Sequence, residues 1–319
     1  MTLHPLSGVY AAAVTPLKPD LSPDLEAVAP FLAFLASRGC HGALLFGTTG
    51  EGPSFSPAER ADVWRTALNV RKQFPNFRLL AGTGTPSLTE TIDLTKLAFD
   101  LGYDGVVTLP PYYFRKATED GLFRWFEEVI RKSVPKDGYL LGYHFPDSAG
   151  IGFSLDLLAR LKNVFPEQFA GIKDSSQNEN FLHALGQKFG NDLAVFSGTD
   201  SDFTLALQNQ AAGCITAAAN LISGGLHEIY DLFVSGKDTS ASQAKVNEQR
   251  RILERYQPYS ASLKALLARL YGQPRWPVRP PLVEISKMDE DKAVHEFELY
   301  LSGCLCEGGH FLSSFIQWS

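Results

Sequence analysis

The stretch Phe169-Ala170-Gly171-Ile172-Lys173-Asp174-Ser175-Ser176 predicts a buried strand whose end carries reactive side chains. A short apolar run, bounded by Gln168 before it and by polar residues after it, is typical of a strand inside a sheet. Lys173, the first charged residue, comes where that strand should end. Burial lowers the pKa of a lysine, so a neutral amine at this place could form a Schiff base with a carbonyl substrate. The alternative is a lysine that closes the strand and pairs with a carboxylate such as Asp174.

The rest of the chain alternates short β-rich runs with helical patterns, which is typical of strands that pair in parallel and are buried on both faces. The predicted strands are 8–16, 42–49, 78–84, 105–111, 138–146, 169–176, 193–200 and 212–220. These units are complete by about residue 235, within the usual size of about 250 residues for a closed barrel. The sequence therefore predicts an α/β fold in which residues 1–235 form a (β/α)8 TIM barrel, the catalytic domain.

Three local signals refine the predicted helices of the barrel. Ser56-Pro57-Ala58-Glu59 and Ser87-Leu88-Thr89-Glu90 each have the composition of a capping box at a helix start. Pro30 lies inside the first helical pattern, and it predicts a kink or a division of that helix.

Residues 236–302 predict a C-terminal helical extension of the barrel. Two helices in 237–270 separate at Tyr256-Gln257-Pro258, and a third lies in 289–301 after a proline-rich turn. The final segment, 303–319, has no clear period, so we predict a tail that is disordered or non-native.

Composition and charge exclude several classes of protein. Hydrophobic residues make up 45% of the 319 residues and charged residues 20%, as in a globular enzyme. The formal net charge of −6 gives no general attraction to nucleic acid or to anionic lipid, so neither nucleic acid nor membrane is a predicted partner. The cysteines form no disulfide framework, and no apolar run is long enough for a membrane span, so we predict a cytoplasmic protein. Cys304 and Cys306 have one residue between them and no second ligand pair, so no metal site is predicted there.

The predicted carboxyl ends of the strands are where a barrel enzyme would place its active site. At the second strand, Gly47-Thr48-Thr49-Gly50-Glu51 can offer backbone N–H groups and two hydroxyls to a carboxylate, although such residues also form ordinary turns. At the fifth strand, Tyr143 is either a core ring or a phenol that passes the proton needed when a carbinolamine loses water. His144 lies on the opposite face of that strand, so we predict a structural role for it.

Four motifs together resemble the dihydrodipicolinate synthase / N-acetylneuraminate lyase family of class I, Schiff-base pyruvate-dependent aldolases. The motifs occur in the family's order, within a match from about residue 8 to residue 301, and they are Gly47-Thr48-Thr49-Gly50-Glu51, Tyr143-x-x-Pro146, Gly171-Ile172-Lys173-Asp174 and Val278-Arg279-Pro280-Pro281-Leu282. The resemblance implies a (β/α)8 barrel with a C-terminal helical region. It also implies a homo-oligomer, a dimer or a tetramer built from dimers, and chemistry without a metal or organic cofactor.

The resemblance further implies a role for each site residue. Lys173 would form the Schiff base with pyruvate or another 2-keto acid. Thr49, Tyr113 and Tyr143 would form a proton relay, in which Tyr113 reaches across a dimer interface. The groups that would contact the bound keto acid are Thr48, Thr49, Gly198 and Ile215.

One position departs from the synthase branch of that family. Where the synthase has an arginine for the carboxylate of its amino-aldehyde substrate, this chain has Ser148. Ser148 and Asp200, at strand ends, would instead suit a hydroxylated substrate. We therefore predict an aldolase or lyase that joins or separates pyruvate and an aldehyde, with a 2-keto-3-deoxy sugar acid as the substrate type. The alternatives are a dihydrodipicolinate synthase, a keto-acid dehydratase and a keto-acid-binding protein without turnover.

Overall fold

The chain forms a closed barrel of parallel strands that follow one another in sequence order. The structure is a computed structural model that describes residues 3–307, with side chains described for residues 3–298. Its strands are β1 (Gly8–Ala12), β2 (Gly42–Leu45), β3 (Arg78–Gly82), β4 (Gly105–Thr108), β5 (Leu140–His144), β6 (Phe169–Asp174), β7 (Ala194–Ser197) and β8 (Gly213–Thr216). All eight predicted strands are present, and the prediction of a (β/α)8 barrel is confirmed.

Every strand ends earlier than the sequence predicts. The prediction extends the second strand to residue 49, but β2 ends at Leu45. Phe46 has a φ of 58°, in the left-handed region, and a strand cannot continue through such a residue. The residues that follow the strands form loops or the first turns of helices at the carboxyl face of the barrel instead.

Helices surround the barrel and alternate with its strands. They are α1 (Leu25–Ser37), α2 (Pro57–Ala67), α3 (Leu88–Asp100), α4 (Glu119–Ser133), α5 (Pro146–Ala149), α6 (Leu155–Val164), α7 (Glu179–Phe189), α8 (Phe203–Gln208) and α9 (Ala219–Val234). The helix α1 runs through Pro30 without a division, so of the two predicted outcomes only the kink stays a prediction. Pro30 is exposed, and water can therefore satisfy the carbonyl group that the missing N–H leaves free.

The two predicted capping boxes differ in their outcome. At α2 the box is complete, because Ser56 Oγ accepts from the Glu59 N–H while the Ser56 N–H donates to the Glu59 carboxylate at 2.9 Å. At α3 only half of it forms. Ser87 Oγ accepts from the Glu90 N–H, but the Ser87 N–H donates to Thr85 Oγ1 at 3.2 Å, so the neighbouring hydroxyl takes the place of the glutamate.

Two apolar layers hold the barrel together. The outer layer lies between the strands and the helices, and it contains most of the buried aliphatic and aromatic residues. The inner layer fills the barrel from Leu6 up to Tyr143 and includes Tyr10, Phe196 and Ile215. Tyr143 therefore forms the top of a packed interior, next to the carboxyl face.

The C-terminal region consists of α10 (Ser240–Glu254), α11 (Tyr259–Tyr271) and α12 (Lys287–Glu307). The sequence predicts helices at these three places. The helix α12 packs against α10 and α11. The helix α12 continues past residue 301 into the predicted tail, and residues 308–319 of that tail lie outside the described residues. No helix within residues 3–307 combines the length and the apolar character that crossing a membrane requires.

Candidate active site

Lys173 lies inside the barrel at the carboxyl end of β6. It is in register with Tyr143 of β5 and Phe196 of β7, both of which belong to the inner apolar layer. The side chain is only 3% exposed, and its Nζ lies 4.1 Å from the centre of the Tyr143 ring. Among residues 3–298, no carboxylate forms an ion pair with this amine. Asp174, the partner in the alternative interpretation, points to the other face of the strand and accepts from the Ser176 N–H at 2.9 Å.

Tyr143 connects the lysine with the loop that follows β2. Its hydroxyl oxygen lies 3.4 Å from Thr48 Oγ1, and its ring stacks on Phe145 with the centres 5.7 Å apart. A phenol between an amine and a second hydroxyl is suitably located to pass a proton between them.

The threonine beside this phenol is Thr48, whereas the relay expected from the sequence contains Thr49. Thr49 is half-buried, and its hydroxyl makes no hydrogen bond to the side chains or backbone of the described chain. Its carbonyl oxygen accepts from Ser260 Oγ of α11 at 3.0 Å. The difference arises because consecutive residues of a tight turn point in different directions, and a sequence does not reveal which of two threonines faces a neighbouring strand.

Residues 46–52, here called the Thr48 loop, have a shape that suits an anion. Within residues 3–307 the backbone N–H groups of Thr48 and Thr49 donate to no acceptor, whereas the N–H groups of Glu51 and Gly52 close the loop on Thr48 and Gly47. Two unused N–H groups beside a hydroxyl can bind a carboxylate. Gly52 is required by close approach, because a Cβ there would lie 2.2 Å from the carbonyl oxygen of Phe46.

Arg60 supports the Thr48 loop and was not anticipated from the sequence. This arginine of α2 is 3% exposed, and its Nη2 donates to the Gly52 carbonyl at 2.6 Å while Nη1 donates to the Gly82 carbonyl at 3.3 Å. Its position after the capping box is one where an exposed arginine would be expected. Arg60, Thr48 and Tyr143 line the same small cavity.

The remaining predicted binding residues lie at the ends of β7 and β8. Ile215 is fully buried in the inner layer, and the Gly198 N–H donates to the Asp174 carbonyl at 2.7 Å. Asp200 is fully buried, and its Oδ2 accepts from Arg250 Nη1 of α10 at 2.6 Å. Its Oδ1 is buried without a partner among residues 3–298. Asp200 is therefore in place at the strand end, but the C-terminal region already occupies one of its oxygens.

Ser148 and Tyr113 lie at the rim of the carboxyl face. Ser148 is exposed in the short helix α5, and Tyr113, in the loop after β4, is 78% exposed. The same loop supplies a cation that sequence reasoning missed. Arg115 Cδ lies 2.6 Å from the point where a Cβ of Gly150 would stand, so its side chain lies along the end of α5. In the described part of the chain its guanidinium has neither a hydrogen bond nor an ion pair.

His144 has the structural setting predicted for it. Its Nδ1 accepts from the Phe153 N–H at 2.9 Å, and its ring stacks on Phe181 with the centres 4.5 Å apart. Burial lowers the pKa of His144, and the nearby Asp174 carboxylate opposes that shift. Residues 3–298 contain no group of three histidine, cysteine or acidic side chains that could hold a metal ion.

The chain matches known proteins over nearly its whole length. The sequence profile described as the Dihydrodipicolinate synthetase family matches residues 5–298. An uncharacterized DapA-like lyase of Chloroflexus aurantiacus is 33% identical over 297 residues, which cover 93% of this chain and 97% of that protein. A 4-hydroxy-tetrahydrodipicolinate synthase of Anaeromyxobacter dehalogenans is 31% identical over 304 residues, covering 93% and 99% of the two chains.

A solved structure has the same fold. YagE from Escherichia coli, a prophage protein of the dihydrodipicolinic acid synthase family in complex with pyruvate, superimposes with a TM-score of 0.86 at 22% identity, covering 93% of this chain and 99% of that one. The match of the family profile extends from ahead of β1 into α12, so it includes the barrel, the candidate site and the C-terminal helices. The chain therefore belongs to the dihydrodipicolinate synthetase family, and it is a carbon–carbon lyase.

Proposed function

We propose that the protein is a class I aldolase in which Lys173 forms a Schiff base with pyruvate or a longer 2-keto acid. The observation that carries this proposal is a buried amine with no carboxylate partner in residues 3–298, adjacent to the Tyr143 ring. The amine attacks the ketone carbon, and a proton passed through Tyr143 allows water to leave the carbinolamine. The iminium then accepts the electrons of the adjacent C–H bond as its proton departs. The resulting enamine attacks an aldehyde carbon, and in the opposite direction the same intermediates cleave a hydroxylated 2-keto acid.

The Thr48 loop would bind the carboxylate of the keto acid. The unused N–H groups of Thr48 and Thr49 support this role, since backbone donors in a turn bind anions. Gly198 and Ile215 would contact the rest of the small ketone from the ends of β7 and β8. Pyruvate as the ketone is also supported by the complex of YagE, a protein of the same fold.

The aldehyde part of the substrate is proposed to carry hydroxyl groups, as in a 2-keto-3-deoxy sugar acid. Ser148 at the rim would offer such groups a neutral donor and acceptor. Asp200 Oδ1 has no partner in residues 3–298, and it would accept a hydrogen bond from a substrate hydroxyl after a small movement of the Asp200 side chain.

A second candidate is dihydrodipicolinate synthase activity, and Arg115 favours it. The Ser148 segment itself lacks a cation, but the guanidinium of Arg115 lies along the end of α5 without a partner in the described structure. An arginine there could bind the carboxylate of an amino-aldehyde in place of the absent one.

A homo-oligomer is proposed because Tyr113 would complete the relay only in a neighbouring subunit. Tyr113 is 78% exposed and Phe114 56%, and exposed aromatic side chains are typical of contact surfaces. Light scattering with an activity assay tests this, since a fully active monomer would contradict it. A cytoplasmic location stays a prediction from the sequence.

Reduction with borohydride in the presence of pyruvate tests the Schiff base. Mass mapping should find a reduced pyruvyl group on Lys173 and on no other lysine. The matched control is Lys173→Arg, which should remain unlabelled because a guanidinium stays protonated. Labelling of a different lysine in an active protein would refute the assignment.

A substrate panel separates the two candidates. Pyruvate release from keto-deoxy sugar acids is compared with condensation of pyruvate and aspartate semialdehyde. Sugar-acid cleavage supports the first candidate. Efficient condensation supports the second candidate if Arg115→Met raises the KM for aspartate semialdehyde by about 10- to 100-fold. A lost charge-assisted hydrogen bond has an effect of that size. Loss of water from the sugar acid without carbon–carbon cleavage would indicate a dehydratase. Binding without turnover would indicate a keto-acid-binding protein that has no catalytic activity.

A further inference from the structure

The Thr48 loop has an unusual backbone at both ends. Phe46 before the threonines and Glu51 after them each have a φ of 58°, in the left-handed region that residues other than glycine seldom adopt. Such residues persist where the surrounding structure leaves them no alternative, and they are concentrated at functional sites. The contacts of Glu51 are therefore the first place to look for what holds the loop in this shape.

Within residues 3–298, the groups that bind the carboxylate of Glu51 come from the C-terminal region. Its Oε1 accepts from Lys264 Nζ of α11 at 2.6 Å, and its Oε2 accepts from the Arg279 N–H at 2.8 Å. Lys264 Nζ also donates to the Pro277 carbonyl at 2.7 Å. The side chains of Glu51 and Lys264 are both 0% exposed.

A second contact from the same helix reaches the loop two residues earlier. Ser260, in the first turn of α11, donates through Oγ to the Thr49 carbonyl at 3.0 Å. The α11 helix therefore contacts the loop at Thr49 and at Glu51, on both sides of Gly50. These contacts lie next to the two backbone N–H groups that we assign to the keto-acid carboxylate.

A fully buried ion pair is a poor source of net stability. Removing two charges from water carries a desolvation penalty that their attraction often only balances, and apolar replacements of similar size can be as stable. The best-attested benefit of such a pair is that it selects one arrangement of the groups around it. Here the arrangement is that of the Thr48 loop.

We propose that Lys264 and Glu51 are a positioning pair, through which the C-terminal helical region fixes the Thr48 loop for the carboxylate of the keto acid. The inference rests on the proposed function, because it assigns the loop to that carboxylate. Lys264 itself touches no reacting atom. Its loss leaves a buried carboxylate without its cation, and the loop then relaxes toward ordinary backbone angles.

Three variants test the proposal: Lys264→Met, the double variant Glu51→Gln with Lys264→Met, and the control Arg269→Met. Arg269 lies on the same helix and pairs on the surface with Glu290 and Asp291. The first readout is amide hydrogen exchange at Glu51 and Gly52, which requires no substrate. The second is the pyruvate KM and kcat, together with borohydride labelling of Lys173.

We expect Lys264→Met to raise both the exchange rates of these amides and the pyruvate KM by about 10- to 100-fold, the size of effect that a small misplacement of binding groups produces. The KM should change more than kcat, because carboxylate binding is common to the ground state and the transition state. Arg269→Met should behave as the parent does. The double variant should recover thermal stability but keep the raised KM. If Lys264→Met does not fold, the double variant gives the same comparison.

If the pair is merely structural, the double variant should recover the parental KM together with the parental stability. That result would overturn the proposal. Parental exchange and KM in folded Lys264→Met would overturn it as well. If the parent takes no pyruvate label while exchange still rises in Lys264→Met, the proposed function fails and the positioning of the loop stands.

Discussion

Lys173 and Lys264 are both buried lysines, and their surroundings give them opposite properties. Lys173 is 3% exposed on β6, and no ion pair reaches it within residues 3–298. Lys264 is 0% exposed on α11, and its amine contacts the Glu51 carboxylate and a backbone carbonyl. Burial lowers the pKa of Lys264, while Glu51 opposes that shift. The comparison teaches that two buried lysines can differ in whether a carboxylate pairs with them, so burial alone does not select a candidate nucleophile.

Removal of the Lys173 amine should give the largest functional effect with the smallest effect on stability. Lys173→Met is expected to lower turnover by about 10⁴-fold or more, because no other group supplies the nucleophile. The free energy of unfolding should stay the same or rise, since the change removes a buried polar group that has no ion pair. Turnover assays and urea unfolding measure the two quantities. A strongly destabilised Lys173→Met would mean that this lysine is structural, as Lys264 is.

The proton relay beside Lys173 should give the next largest effect. Tyr143→Phe keeps the ring under the amine and deletes one hydroxyl, so we expect turnover to fall by about 10²- to 10⁴-fold with little change in melting temperature. Thr48→Val should slow turnover more than the matched variant Thr49→Val, since Thr48 Oγ1 is the hydroxyl near the phenol. A larger effect of Thr49→Val than of Thr48→Val would favour the expected relay of Thr49, Tyr113 and Tyr143.

The sequence predicts the barrel and the position of the candidate lysine because both depend on local patterns. Apolar runs and helix signals repeat along the chain, and Lys173 ends one of these runs. Three features could not be predicted in this way. The left-handed Phe46 has no sequence signal, and it ends β2 early. Arg115 and Lys264 look like ordinary exposed cations, yet Lys264 meets Glu51, 213 positions away. Contacts between distant segments follow from the closed fold, which no local pattern specifies.

Loss of the Lys264 amine should reduce stability strongly, whereas loss of the Lys173 amine should reduce turnover strongly and stability little. Lys264→Met is expected to lower the free energy of unfolding by about 3–5 kcal/mol, because the buried Glu51 carboxylate loses its cation. Arg269→Met, on the exposed side of the same helix, should lower it far less, because water screens an exposed ion pair. Glu51→Gln with Lys264→Met should recover most of the loss. Urea unfolding of these variants, of Lys173→Met and of the parent measures the free energies. Equal losses for Lys264→Met and Lys173→Met would remove the distinction between the two regions, and equal losses for Lys264→Met and Arg269→Met would mean that the buried ion pair behaves as an exposed one.

The smallest effect concerns His144, a third buried base, which is held by a backbone donor instead of a carboxylate. Its Nδ1 accepts from the Phe153 N–H, which requires the neutral ring. Burial sets the pKa of His144 below the ordinary value of about 6.5 that applies in the unfolded chain. Between the two pKa values the unfolded chain therefore binds more protons than the folded protein does. The stability from neutral His144 is fully present above about pH 6.5 and is lost as the pH falls through the folded pKa.

The pKa values of His4 and His41 are also lowered, each to about 4, so the slope of the whole protein does not isolate His144. The difference between the parent and His144→Gln does, because the glutamine carbonyl can accept a hydrogen bond but does not titrate in this range. Urea unfolding at pH 7 and pH 5 should show a smaller loss of stability on acidification in His144→Gln than in the parent. Equal losses would mean that the His144 ring is protonated in the folded protein at pH 5. The neighbouring Asp174 carboxylate of β6 would then outweigh the effect of burial on the pKa of His144.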